Sequence, residues 1–287
     1  MSKISEPQKE NSKRQVIRRI ILVTGIFFVF LGLLLFINFI PALQLKEPHM
    51  RCYNGNYVKV FYERQKDAAK DVFLLTEAKA PELIKSLDIK PGKKITIYIY
   101  DNQKTMQCKK YGYLALFLHL DWYIGDNIRT KVILTSPANP GKVHTYEENK
   151  QAVLHEMVHA YISTINPDIR LWLTEGMALY LANGEPFYGA YLKQMKIPDF
   201  KATRTGNPVE FANMGGYTFS STYIEYLKQE YGWDSVKKLI ESEDWEKAFG
   251  KSEKEIYRDW VQYLMNYYSE RQLKMAEQLE AIAKQEK

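Results

Sequence analysis

Residues 145–162 read Thr-Tyr-Glu-Glu-Asn-Lys-Gln-Ala-Val-Leu-His-Glu-Met-Val-His-Ala-Tyr-Ile, and their spacing predicts a helix from about Tyr146 to Ser163. Thr145 and Glu148 fit a reciprocal cap at its start, and Glu147 and Glu148 fall in the first turn, where the helix dipole favours acidic groups. Leu154, Met157, Val158 and Tyr161 recur at helical spacing and form an apolar stripe. His155 and His159, at i and i+4, stand one above the other at the edge of that stripe, so both imidazoles can reach one point. Glu156 is rotated from His155 by about 100°, which takes it out of easy ligand range but leaves it beside anything the histidines hold. Two neutral imidazoles and one carboxylate suit zinc, and such a site keeps a position open for a water whose pKa falls to about 7. A helix with packed or exposed histidines of no chemical role shows the same local pattern.

Downstream, a second helix begins near Leu171–Thr174 and stops at Asn183-Gly184. It carries Trp172-Leu-Thr-Glu-Gly-Met-Ala-Leu-Tyr180, with Leu173, Met177, Tyr180 and Leu181 on its buried face. Glu175 sits among those apolar neighbours. Unpaired it is costly to bury, whereas a third place on a shared ion neutralises it; the plain reading is an acid stabilised by the helix N-terminus. Gly176 permits a close backbone approach. Residues 185–215 read as irregular, and helices follow at roughly Tyr217–Tyr231, Trp233–Ser242 and Lys254–Tyr268, then a charged tail, 269–287, that continues helical or frays.

Upstream, Lys94-Ile-Thr-Ile-Tyr-Ile-Tyr100 alternates strictly and predicts a strand. Two apolar runs around Trp122–Ile124 and Lys131–Thr135, separated by Gly125-Asp126-Asn127, predict a hairpin, and Lys66–Ser86 has helical spacing. The sum is an α+β fold: a small, mostly antiparallel sheet packed against a mostly helical half.

Six basic groups and two acidic ones fall within residues 1–19, whereas the whole chain of 287 residues has 40 Lys plus Arg against 34 Asp plus Glu. The remainder is therefore nearly neutral, with no electrostatic footprint for nucleic acid. The basic flank runs into an uncharged stretch, Ile20–Ile40, closed by Pro41. At a rise of ~1.5 Å per residue it spans roughly 30 Å, the thickness of a bilayer's hydrocarbon. A cleavable signal sequence is the rival, but its apolar stretch is shorter and Ile40-Pro41-Ala42 is a poor cleavage pattern. The basic residues before the span predict a cytoplasmic N-terminus and an outward-facing remainder. The expected organisation is a basic tail (1–19), a transmembrane helix (20–40), a linker (41–56), one domain (57–268) and the tail. Outside the cell, Cys52 and Cys108 can form a disulfide or remain two buried thiols.

His-Glu-x-x-His followed by Trp-Leu-Thr-Glu-Gly-x-Ala resembles the gluzincin metallopeptidases, and among them the bacterial peptidase MA-like proteins, over roughly residues 90–245. The resemblance implies a zincin-like catalytic half holding one zinc ion on His155, His159 and Glu175, with Glu156 as general base. It implies that a strand near Lys131–Ser136 is an edge over the cleft where a peptide or protein substrate lies extended. By its spacing within Gly216–Leu227, Tyr217 matches the tyrosine that stabilises the oxyanion in that family; Tyr223 is a rival donor. Ser220 stands where aminopeptidase relatives carry glycine. Leu179 stands where thermolysin-like relatives carry the aspartate that orients a ligand histidine, so that partner must come from elsewhere. His144 reads as a loop histidine, and His49 and His119 have no partner pattern. The resemblance thus implies a membrane-anchored zinc peptidase; the alternatives are a zincin-fold envelope binding protein without turnover, or a protease whose domain faces the cytoplasm.

Overall fold

Alternation in strand β3 (Ile95–Tyr100) sorts the molecule into layers. Ile95, Ile97 and Ile99 enter one apolar core, and Tyr98 and Tyr100 enter another on the opposite face of the sheet. The computed structural model describes residues 6–90, 92–183 and 196–266. The tail 269–287 lies outside them.

The sheet has five strands in the order β1-β2-β3-β5-β4, with β1 at Arg51–Asn54, β2 at Val58–Tyr62, β4 at Gly125–Ile128 and β5 at Lys131–Thr135. β2 pairs with β3, and β3 with β5, in parallel; only the outer strands β1 and β4 are antiparallel to their neighbours. The expected mostly antiparallel sheet is therefore corrected to a mixed one. The cause is helix α2 (Lys66–Leu87), which leaves β2 and crosses to deliver β3 in the same direction. Residues 51–54, at the end of the expected linker 41–56, pair into the sheet as β1, Arg51 lying opposite Tyr62. In the β4–β5 hairpin, Gly125-Asp126-Asn127 is strand rather than turn. The reversal falls at Arg129-Thr130, with Arg129 in a left-handed conformation at φ 53°.

Helix α1 (Glu6–Leu43) takes in residues 6–19 of the basic flank as well as the apolar run; from Arg14 to Leu43 it is long and apolar enough to cross a membrane. Helix α3 (Gln103–Tyr111) and a 3-10 turn (Gly112–Leu116), neither legible in the sequence, follow β3. Helix α4 (Tyr146–Ile162) starts at the expected cap: Thr145 Oγ1 accepts from the Glu148 amide at 3.2 Å, and Glu148 accepts from the Thr145 amide at 2.8 Å. Then come α5 (Leu171–Asn183), α6 (Pro208–Asn213), α7 (Gly216–Tyr231), α8 (Trp233–Ser242) and α9 (Trp245–Phe249), with residues 253–266 forming a last helix, α10. A 3-10 turn (Ala202–Arg204) and α6 give order to the described part of the stretch read as irregular.

The larger core lies between the sheet and these helices. Leu154, Met157, Val158 and Tyr161 of α4 are buried in it, and Trp172 of α5 meets Phe211, Tyr223 and Trp260 edge to face. Trp260 Nε1 donates to Thr222 Oγ1 at 3.1 Å, tying α10 to α7. Helices α5 and α7 touch at Gly176, where a Cβ would come 2.5 Å from the Ser220 carbonyl oxygen. That neighbour is backbone and cannot rotate aside. Gly176→Ala is therefore expected to cost about 1–3 kcal/mol by overpacking, read as a lower urea midpoint at unchanged m-value; an unchanged midpoint would show that the helices separate freely.

Candidate metal centre

Helix α4 presents His155 and His159 toward the first turns of α5. The connection between the two helices is pinned at both ends: Asn166 donates to the Ile240 carbonyl at 3.1 Å, and the Arg170 amide and Nε donate to Glu243 at 2.8 and 2.6 Å. Arg170 also pairs with Glu253. The start of α5, and hence the placement of Thr174 and Glu175, is fixed by that clamp.

Three ligand-type side chains converge. The two imidazole Nε2 atoms are 2.9 Å apart, His155 Nε2 is 3.2 Å from Glu175 Oε2, and His159 Nε2 is 3.5 Å from Glu175 Oε1. Ligand atoms each about 2.0–2.2 Å from one tetrahedral centre stand roughly 3.4 Å apart, so these separations suit a shared ion. Glu175 Oε2 is buried without a hydrogen bond of acceptable geometry, despite its 3.2 Å approach to His155. Two nitrogens and a carboxylate oxygen aimed at common ground, one of them unsatisfied, form a cluster that could hold a metal ion. Among the described residues no other group of His, Cys, Asp and Glu side chains gathers in this way.

The electrostatics agree with that convergence. Burial would raise the Glu175 carboxyl, but the close approach and charge of His155 and His159 outweigh it and hold the group down to about 2. Burial opposes charge on His159, yet its bond to Glu175 and the carboxylates of Glu175, Glu156 and Asp126 raise its pKa. Thr174 Oγ1 lies 2.8 Å from His159 Nδ1, within hydrogen-bond distance of the ring nitrogen that faces away from the shared point. Thr174 thus contacts a ring nitrogen of His159, the kind of contact that the resemblance leaves unfilled at Leu179. The sequence gives only its place beside Glu175; its hydroxyl reaches His159 because α5 crosses α4 at that level.

Glu156 stands outside this triad and faces β4, where a Cβ built on Gly125 would lie 3.3 Å from Glu156 Cγ. Burial pushes its carboxyl up to about 7, against the pull of His155 and His159 and with the help of Asp126 and Glu175. Asp126, also unread in the sequence, accepts from Lys110 Nζ at 2.9 Å and from the Tyr123 hydroxyl. Gly125 and Asp126 belong to the edge of the sheet. The strand expected at that edge, Lys131–Ser136, is instead interior, because β5 pairs on both sides, and the edge beside Glu156 is β4.

The two candidate tyrosines separate. Tyr217, in the first turn of α7, is 41% exposed, packs edge to face on Phe211, and has its hydroxyl pKa raised by burial and then by the charges of Glu175 and Glu156. Tyr223 is buried among Trp172, Trp245 and Trp260, and the charges nearest to it are Glu253 and Arg170. His144 Nε2 is 2.9 Å from the Trp122 carbonyl oxygen, and His49 lies 3.5 Å from Glu63, so neither belongs to the triad. Cys52 and Cys108 are both free, the first exposed and the second buried, so neither the disulfide nor a pair of buried thiols is found.

No protein-family model matches the chain, and no curated protein does. The site therefore has to be read from its own geometry.

Proposed function

We propose that this chain is a membrane-anchored zinc metallopeptidase of the gluzincin type, hydrolysing peptide bonds of a peptide or protein substrate. The observation that carries the reading is the convergence of His155, His159 and Glu175, with Glu156 held apart from them against the edge strand. His155, His159 and Glu175 would hold one zinc ion per chain. When bound, the ion supplies Lewis acidity toward a water and a scissile carbonyl.

The chain's own residues supply the rest. The edge of β4 takes an extended backbone by strand addition, placing a peptide beside Glu156. Glu156 accepts the proton of the attacking water at a carboxylate oxygen and returns it to the leaving amine nitrogen. The Tyr217 hydroxyl donates a hydrogen bond to the developing oxyanion. Thr174 keeps His159 in the tautomer that presents Nε2. Helix α1 anchors the protein by crossing the membrane once, with the N-terminus cytoplasmic and the catalytic part outside.

The test is zinc content and cleavage together: full-length protein in detergent, loaded with zinc, incubated with a mixed peptide library read by mass spectrometry. Cleavage that stops with chelator and returns with zinc is expected. One equivalent of zinc with no cleavage would overturn the peptidase reading in favour of an envelope binding protein on the same scaffold. Proteolysis of residues 41–287 from outside intact cells is expected; protection of that region would reverse the topology. Thr174→Val should weaken zinc binding roughly 10–100-fold, measured against a competing chelator, and Thr174→Ser should restore it.

A further inference from the structure

Between α3 and β4 the chain runs Tyr111-Gly-Tyr-Leu-Ala-Leu-Phe-Leu118 without a charge. Folding buries only Gly112 and Ala115 of it. Tyr113, Leu114, Leu116, Phe117, Leu118 and Trp122 are all exposed, Phe117 by 78% and Trp122 by 59%. A contiguous apolar surface of this kind marks a partner or a lipid phase.

Its place relative to α1 selects between them. Asn38 interrupts the last turns of the apolar run; its Nδ2 donates to the Tyr111 carbonyl at 3.3 Å, and its Oδ1 accepts from the Leu114 amide at 2.9 Å. Gly112, at φ 71°, is pressed so close to Asn38 that no Cβ fits. The segment is thus docked on α1 about five residues before the end of the apolar helix at Leu43, roughly 7.5 Å along its axis. Behind it, Lys104 Nζ donates to the carbonyls of Ala115 (3.1 Å) and Leu118 (2.5 Å), closing backbone acceptors that would otherwise need water. Apolar tips with tyrosine and tryptophan at the flanks are the composition of the membrane interface.

We propose that residues 113–118, with Trp122 at their flank, insert into the interface of the leaflet where α1 ends, as a second membrane contact whose occupant is the lipid bilayer itself. This rests on α1 crossing the membrane and is independent of the chemistry at His155. Because Trp122 leads within a few residues into β4, the contact seats the edge strand beside Glu156 close to the lipid surface. The substrates it favours are then segments of polypeptide lying next to the membrane.

The test places nitroxide labels at Phe117→Cys, Trp122→Cys, Val29→Cys and Glu246→Cys, each in the full chain with Cys52 and Cys108 replaced by Ser, reconstituted in phosphatidylcholine/phosphatidylglycerol vesicles. Collisions with oxygen are expected to exceed those with a water-soluble nickel chelate at 117 and 29, with the reverse at 246 and an intermediate ratio at 122. Nickel access at 117 with position 29 in lipid overturns the insertion and leaves α1 spanning. Exclusion of both probes at 117 means protein covers the patch, which also overturns it. Nickel access at 29 removes the span and the proposal with it.

Discussion

Glu156→Gln is expected to keep its zinc and lose roughly 10²–10⁴-fold in kcat. The amide has the volume of the carboxylate and can stay beside Gly125, so the packing of α4 on β4 is retained. What it lacks is a basic oxygen. Because Glu156 lies outside the His155, His159 and Glu175 triad, zinc content and zinc-dependent thermal stabilisation should match the wild type. KM should change little, since the loss falls on proton transfer and not on substrate binding. Undiminished hydrolysis by a zinc-loaded variant would remove Glu156 from the reaction and force a search for another base.

Glu175→Gln should have the opposite signature. At a free zinc concentration a thousand times Kd, the wild type gains about 4 kcal/mol from binding, and a domain of this size converts that into a rise in Tm of roughly 8–16 °C. The variant keeps the side-chain volume between α4 and α5 but replaces a carboxylate held down to about 2 with a neutral amide. Its zinc-dependent rise in Tm should vanish and its zinc content fall to background. In chelator, the variant should melt below the wild type, because the folded chain holds this carboxyl well below its ordinary value and the amide forgoes that stabilisation. A full zinc-dependent rise in Glu175→Gln would mean that the ion sits elsewhere or needs only the imidazoles. The two substitutions together separate a residue that holds the metal from one that moves the proton.

Much of this site was legible because it is local. The cap at Thr145 and the i and i+4 histidines lie within one helix, where spacing dictates which side chains meet, whereas Glu175 was pointed to by the family resemblance and meets them because α5 is pinned from Glu243. The sheet was less legible because its order depends on partners distant in sequence. Val58–Tyr62 is a short strand whose neighbour β3 lies a whole helix away, and only that pairing makes the centre parallel. Gly125-Asp126-Asn127 misled for a different reason. That glycine resembles a turn signal, but its missing side chain leaves room for Glu156 beside an edge strand, and the real reversal uses Arg129 in a conformation unfavourable for most residues. Thr174 and Asp126 were invisible because hydroxyls and carboxylates are common, and only the crossing of α4, α5 and β4 gives these two their neighbours.

The reciprocal bonds at Thr145 and Glu148 do more than end a helix neatly. They set the rotational phase of α4, and with it the azimuth at which both imidazoles leave the rod. A single residue inserted between that cap and His155 would swing the pair by about 100° and slide it ~1.5 Å along the axis, with the upstream fold untouched. Evolution can therefore lengthen this chain well before Thr145 with little consequence for the triad, but between the cap and the first imidazole, and through the pinned start of α5, the spacing is not free to drift.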